Sequence, residues 1–551
     1  MRVEPRWWPL LLGLAYLLVV LHGLGDADIV GDDESREVAI AQDVARGHVL
    51  WPTFNDELLP DKPTLYHWLA GASVAVLGFS EVTVRLPSAL SAAGLVWWTA
   101  AYGNRLLGHP AGLVAAGLLA TMPALFSRAR VARPDALLAL LLAIGLGLAY
   151  DWWRDRRPRD ATMALVCIGL AVLNKGPVAP VIFGIAFGLF LLWQRDLRRA
   201  WRFLTPSGVA AFLVLGLGWY VLAYAGWGQR FVDEHLIGRY VRNLAGGMAS
   251  GGAYSPKSFW YHATFYPLHL WAIVLPWTPF LLLALWRIGQ RSGLRDPRAR
   301  FLLCWAVAPV IAFTPAEWKL RYYLLPSLPA LALLTAPTVT SLLLTPLREI
   351  VVTGRSLFAA AVMVLVVVGT AALVLQRPDL LARSDRSTVE AFMAALGGPS
   401  RIAMLIGLLS GVVAVAVAAQ AWGAIAALIA AASLLWLVLV APQIEAETSR
   451  RDSVKPFGLA VKEHIAADQP LAFYGPPVRA VVVYAERNIP SLHRQPDRIT
   501  LGMGVIAFAP AHQALVNTGY VGPALATGSG RIGNITRGEL VLAEALTRTE
   551  P

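Results

Sequence analysis

Asp32-Asp33-Glu34-x-Arg36 stands just behind the first apolar stretch of the chain, and Asp61-Lys62-Pro63 follows in the same polar segment, residues 31–69. A carboxylate in such a place can take a proton from an incoming hydroxyl, or hold a phosphate through water or a metal. A guanidinium adds forked recognition of phosphate oxygens, and a lysine adds a point charge. Each group also has a plainer use. Asp32 or Asp33 can cap a short helix over 34–46 that ends at Gly47, with Glu34 and Glu37 favoured by the helix dipole. Lys62 can snorkel toward lipid headgroups, and Pro63 suits an extended entry into a helix. Capping leaves Arg36 unexplained.

Four more groups repeat this pattern of charge at the end of an apolar run. Arg133-Pro134-Asp135 opens one such run, where a carboxylate is costly unless it meets water or a partner. Asn174-Lys175-Gly176-Pro177 separates two others. Asp233-Glu234-His235-x3-Arg239-x2-Arg242 puts His235, Arg239 and Arg242 on one helical face. Trp318-Lys319-Leu320-Arg321-Tyr322-Tyr323-Leu324-Leu325-Pro326 suits a cation cluster and an aromatic belt equally well.

The elements that must hold these groups are membrane helices. Hydrophobic residues make up 57% of the 551 and charged residues 15%, against about 25% charged in a soluble protein. Mean hydropathy is +0.56. Thirteen spans are expected, near 7–24, 84–104, 111–127, 134–150, 160–173, 176–193, 207–226, 265–286, 301–314, 322–343, 357–376, 401–419 and 421–441. The first lacks a small-residue cleavage site and reads as a retained helix. Arginine-rich loops after positions 150, 193, 286 and 345 mark the cytoplasmic side, which accounts for much of the net charge of +12 without nucleic acid. Loops 25–83, 128–133, 174–175, 227–264, 315–321 and 377–400 then share the opposite face with the tail. Cys167 and Cys304 lie in apolar runs, so no disulfide framework is expected.

Residues 1–441 form the expected membrane domain, with a catalytic first outer loop at 25–83. Residues 442–551 form a small extracytoplasmic α/β domain, with a helix over 454–465 capped by Ser453, strands at 471–474 and 481–484, and a loose glycine-rich end at 528–533.

Taken in order, Asp33-Glu34-x-Arg36, Gly47, Pro52, Lys62-Pro63, Trp68, Gly78, Arg85-Leu86-Pro87, Asn174-Lys175-Gly176-Pro177 and Arg321-Tyr322-Tyr323-Leu324-Leu325-Pro326 resemble the GT-C-fold membrane glycosyltransferases. The resemblance is to the branch holding the lipid A aminoarabinose transferases and their protein O-mannosyltransferase relatives, and it covers roughly residues 7–340. It implies a polytopic helical fold and transfer of a sugar from a polyprenyl-phosphate donor, on the periplasmic face of a bacterial inner membrane. The acceptor is a lipid such as lipid A, or a protein. By the same resemblance Asp33 and Asp135 are the catalytic acids. Arg36, Lys62, Lys175 and Arg239 hold the donor phosphate with Tyr323 nearby, and Glu34, Asp61, His235 and Arg321 are accessory. Asp61 stands where the relatives usually carry glutamate and Thr64 where they carry a second proline. Metal dependence stays open, with a divalent cation as the candidate cofactor. The competing class is a lipid or sugar transporter, which also uses intramembrane charge but usually shows related halves; no internal repeat is visible.

Overall fold

The computed structural model describes residues 7–51, 53–54, 62–233, 237, 259–290, 293–316, 319–344, 422–532 and 536–546. Asp61, His235, Arg239, Arg242 and the expected spans 357–376 and 401–419 lie outside them. Contacts divide the chain into two compact units. One comprises Met1–His22, Pro60–Leu65 and Ser88–Ile444, and the other Gly23–Leu59, Tyr66–Pro87 and Glu445–Pro551. The first polar loop and most of the tail thus fall in the same compact unit.

Apolar helices build the first unit. Asp135–Asp155 packs on Pro158–Lys175, Val178–Trp193 on Pro297–Phe313, and Ala111–Ala120 on Leu328–Leu344. Among the described residues, Asp135–Asp155, Pro206–Trp227, Arg321–Leu344 and Ile425–Arg450 are long and apolar enough to cross a bilayer. Two expected spans are bent rather than straight. The 111–127 run breaks by 64° between Ala111–Ala120 and Pro123–Ala129, and the 265–286 run by 110° between Tyr261–Ile273 and Thr278–Gly289. Pro123 and Pro276 fall at these breaks, where a ring nitrogen cannot continue the hydrogen-bond ladder.

Several buried polar side chains inside this unit find local partners, as a lipid-embedded interior favours. Trp277 Nε1 donates to Thr121 Oγ1 at 2.9 Å, and Trp305 Nε1 to the Pro326 carbonyl at 2.8 Å. Ser327 Oγ donates to the Ala306 carbonyl at 2.8 Å. The last two bonds anchor the 3-10 turn Arg321–Ser327, which carries the paired tyrosines.

The second unit joins the helices Asp32–Ala45 and Leu65–Leu77 to a mixed sheet of order β1-β2-β4-β3. These strands are β1 Leu471–Phe473, β2 Gly504–Phe508, β3 Val521–Ile532 and β4 Thr536–Ala545. β1 runs parallel to β2, and the other two pairings are antiparallel. The expected strand at 481–484 is instead the helix Arg479–Ala485, buried from Ala480 to Ala485. A short apolar run buried on all sides carries no alternation to separate strand from helix. The 528–533 region is not a loose end: through Ile532 it is β3. Gly528 is needed there because a Cβ would meet Phe457 Cβ at 2.6 Å. The expected helix over 454–465 spans Lys455–His464 with Val454 at its cap position, although Ser453 Oγ still accepts from the Lys455 amide at 3.1 Å.

Charge ties the loop to the tail. Lys455 Nζ meets Glu81 Oε1 at 2.6 Å and Asp28 Oδ1 at 3.4 Å. Tyr484 Oη donates to Glu81 Oε1 and accepts from the Ile29 amide. Burial, with Glu81 and Asp28 adding to it, pushes the Tyr484 phenol well above its usual range, so it stays protonated. Burial works against the Lys455 ammonium, but Glu81 and Asp28 outweigh it and hold it above the usual lysine range.

Candidate active site

The polar loop places its acids on one helix, Asp32–Ala45. Gly31 occupies the cap position in extended conformation and no side chain caps the end. Asp32 and Asp33 are thus first-turn residues favoured by the dipole rather than N-caps. Their surroundings differ sharply. Glu34 Oε1 accepts from Arg85 Nε at 2.9 Å. Arg85 Nη1 also donates to the carbonyls of Leu24 and Ala27, so this pair holds the loop entry. Arg36 is 5% exposed; its Nη2 lies 3.3 Å from Asp33 Oδ1 and 3.4 Å from Glu37 Oε1. The Asp33 side chain is 45% exposed. Of Asp33, Glu34 and Glu37, Asp33 alone can meet an incoming group.

The second cluster belongs to the first unit and is assembled from three turns. Asn174 Nδ2 donates to the Pro134 carbonyl at 2.9 Å, and Ser88 Oγ to the Arg133 carbonyl at 3.0 Å. Gly176 has φ +86, a conformation that suits glycine, and lets the chain turn directly after Lys175. Lys175 Nζ bonds Asp135 Oδ1, and Arg133 Nε lies 3.2 Å from Asp135 Oδ2. The Arg128 and Arg133 guanidiniums lie 4.8 and 4.7 Å from the Tyr322 ring centre, and Lys175 Nζ is 5.0 Å from that of Tyr323. Phe313 stacks on Tyr323 at 4.5 Å. Three cations and two tyrosines thus converge around Asp135, whose side chain is 3% exposed. Such a set can bind a phosphate and stabilise charge developing on it.

Among the expected site residues, Asp135, Lys175 and Tyr323 come together, as do Asp33 and Arg36 in the other unit, where Glu34 turns to Arg85 instead. Lys62 is half-buried ahead of the Leu65–Leu77 helix, and Arg321 is exposed. Arg128, Tyr322, Glu37, His67 and Arg85 were not singled out for a site role. Arg128 lies in the last turn of the helix Pro123–Ala129, at the edge of a segment already marked by charge; burial of Glu37 and His67 left no sequence signal. Among the described residues, no group of three or more His, Cys, Asp or Glu side chains could hold a metal ion. Asp33, Glu34 and Asp135 each face a cation instead. The described donor set does not fit a divalent cation.

The architecture is the GT-C fold. It matches the crystal structure of ArnT from Cupriavidus metallidurans bound to undecaprenyl phosphate with a TM-score of 0.75 at 18% identity, covering 98% of this chain and 99% of that one. The apo state of the same protein matches with a TM-score of 0.72 at 18% identity, covering 97% of each chain. Residues 61–221 match the family described as dolichyl-phosphate-mannose-protein mannosyltransferase. Among relatives by sequence, the undecaprenyl phosphate-alpha-4-amino-4-deoxy-L-arabinose arabinosyl transferase of Shewanella sediminis (strain HAW-EB3) is 27% identical over 343 residues, and that of Yersinia pestis (strain Pestoides F) 29% over 346. Each alignment covers 60% of this chain and 59% of the relative's length. Over 60% of its length this polytopic helical chain of the GT-C fold is similar in sequence to the aminoarabinose transferases.

Proposed function

We propose that the chain transfers a sugar from a polyprenyl-phosphate donor to a lipid acceptor of the lipid A kind, on the periplasmic face of a bacterial inner membrane. The observation that carries this reading is the convergence of Arg128, Arg133 and Lys175 around Asp135 beside Tyr322 and Tyr323. An anion buried among apolar helices needs such partners. The relatives' names supply the donor class, undecaprenyl phosphate carrying an aminoarabinose.

In the reaction, an acceptor oxygen attacks the anomeric carbon as the bond from that carbon to the phosphate oxygen breaks, in one inverting displacement. Asp33 takes the acceptor proton. Polyprenyl phosphate leaves with the bonding electrons, and its added negative charge is stabilised by Lys175 and the arginines. Asp135, locked between Lys175 and Arg133, acts as the counter-ion that arrays those cations rather than as a second proton acceptor. Lys62 contributes a further phosphate contact.

The match over residues 61–221 favours one second reading, a protein hydroxyl as acceptor. The test is to incubate the purified full chain with undecaprenyl phosphate-linked aminoarabinose and either lipid A or serine- and threonine-rich peptides, then to weigh the products by mass spectrometry. The expected result is lipid A gaining one sugar while undecaprenyl phosphate is released. A sugar gained by the peptide alone supports the second reading. No release with either acceptor refutes the assignment for this donor.

A further inference from the structure

Beside Asp33 runs a buried line of alternating charge that the reaction just described does not use. The two oxygens of Glu37 point to different partners: Oε2 lies 2.7 Å from His67 Nε2, and Oε1 lies 3.4 Å from Arg36 Nη2. The same Nη2 lies 3.3 Å from Asp33 Oδ1. The Glu37 and His67 side chains are 1% and 2% exposed. A carboxylate so deep is costly to desolvate, and partners on both oxygens are what make it tolerable. His67 reaches it from a different helix, Leu65–Leu77. Gly71, one turn further along, lets that helix close on Asp32–Ala45: a Cβ at Gly71 would lie 2.5 Å from Val44 Cγ1 and 2.9 Å from the Ala41 carbonyl. His67 Nδ1 is buried with no hydrogen-bond partner. Nε2 is thus the ring nitrogen placed to donate to Glu37.

We infer that Glu37 and His67 are positioning residues which, through Arg36, aim the Asp33 carboxylate at the acceptor. The inference rests on Asp33 being the proton acceptor. His67 fixes Glu37, Glu37 fixes one edge of the Arg36 guanidinium, and that guanidinium presents Nη2 to Asp33. An exposed aspartate otherwise samples several rotamers, and displacement of a reacting group by about 1 Å can cost roughly 100-fold in rate. Arg36, nearly buried and shared between two carboxylates, serves this orientation rather than the donor phosphate.

The test uses the purified full chain in detergent, with undecaprenyl phosphate-linked aminoarabinose as donor and lipid A as acceptor. Binding of undecaprenyl phosphate and thermal unfolding are measured alongside. Glu37→Ala and His67→Ala are expected to lose roughly 10- to 100-fold in kcat, with the KM for donor and the Kd for undecaprenyl phosphate unchanged. His67→Gln, which keeps an N–H toward Glu37, is expected to recover most of kcat. Wild-type kcat in folded Glu37→Ala and His67→Ala, beside an inactive Asp33→Asn, overturns the positioning role and leaves the Asp33 reading standing. Activity in Asp33→Asn overturns that reading itself. Should Glu37→Ala not fold, Glu37→Gln and His67→Ala carry the comparison, and wild-type kcat in both refutes the inference. A kcat loss that only tracks loss of folded protein refutes it too.

Discussion

Replacing Lys175 by methionine separates two jobs proposed for the cation cluster. The side chain is 11% exposed and its ammonium bonds an Asp135 carboxylate that is 3% exposed. Removing one partner of a buried pair costs about 3–5 kcal/mol. Arg133 still holds the other Asp135 oxygen at 3.2 Å, so a loss of about 3 kcal/mol is expected. Donor binding suffers separately: a hydrogen bond to a charged group contributes about 1.5–3 kcal/mol, or roughly 10- to 150-fold in Kd. The second substitution Asp135→Asn removes the stranded carboxylate and should return much of the stability but none of the affinity. Undecaprenyl phosphate titration of the purified variants by tryptophan fluorescence reads the affinity, and thermal unfolding in the same detergent reads the stability. Wild-type affinity in Lys175→Met would refute phosphate binding at this cluster. Affinity returning with Asp135→Asn would show that the loss was structural.

Three further outcomes follow from the second unit. Arg85→Met strands Glu34 and removes the donor to the Leu24 and Ala27 carbonyls; a loss of about 3–5 kcal/mol is expected, read as a lowered unfolding midpoint. Gly71→Ala drives a Cβ against Val44 and the Ala41 carbonyl, and overpacking of this kind costs about 1–3 kcal/mol; an unchanged midpoint would show that the two helices part freely. The raised Lys455 ammonium stabilises the fold fully below the ordinary lysine value of 10.5 and loses that contribution as pH rises through its higher folded value. The stability gap between wild type and Lys455→Met should therefore stay level between about pH 6 and 9 and narrow only in stronger alkali; narrowing near neutrality would contradict the Glu81–Lys455 pairing.

The membrane helices were legible because apolar length is written directly into composition. Eleven of the thirteen expected spans coincide with helices, and the remaining two lie outside the described residues. The bends at 121–122 and 274–277 were not, since proline at a run's middle reads equally as a kink or a corner. Lys175 and Asp135 were visible as charges at apolar ends, and Gly176-Pro177 marked the turn. Their pairing was not, because it joins residues forty positions apart through packing of two helices. Glu37 looked like a first-turn dipole partner and His67 like part of an aromatic stretch. Only the approach of their helices at Gly71 brings them together. The 481–484 run failed as a strand for the opposite reason: β-branched residues signal a pleated half-buried surface, and this segment is buried on every side.

The central claim is that Asp33 takes a proton during sugar transfer. It is tested most directly by single-turnover release of undecaprenyl phosphate from an undecaprenyl phosphate-linked aminoarabinose donor, comparing wild type with Asp33→Asn. The expected result is loss of turnover with the same unfolding midpoint and the same affinity for undecaprenyl phosphate. Turnover at the wild-type rate in that variant would contradict the account.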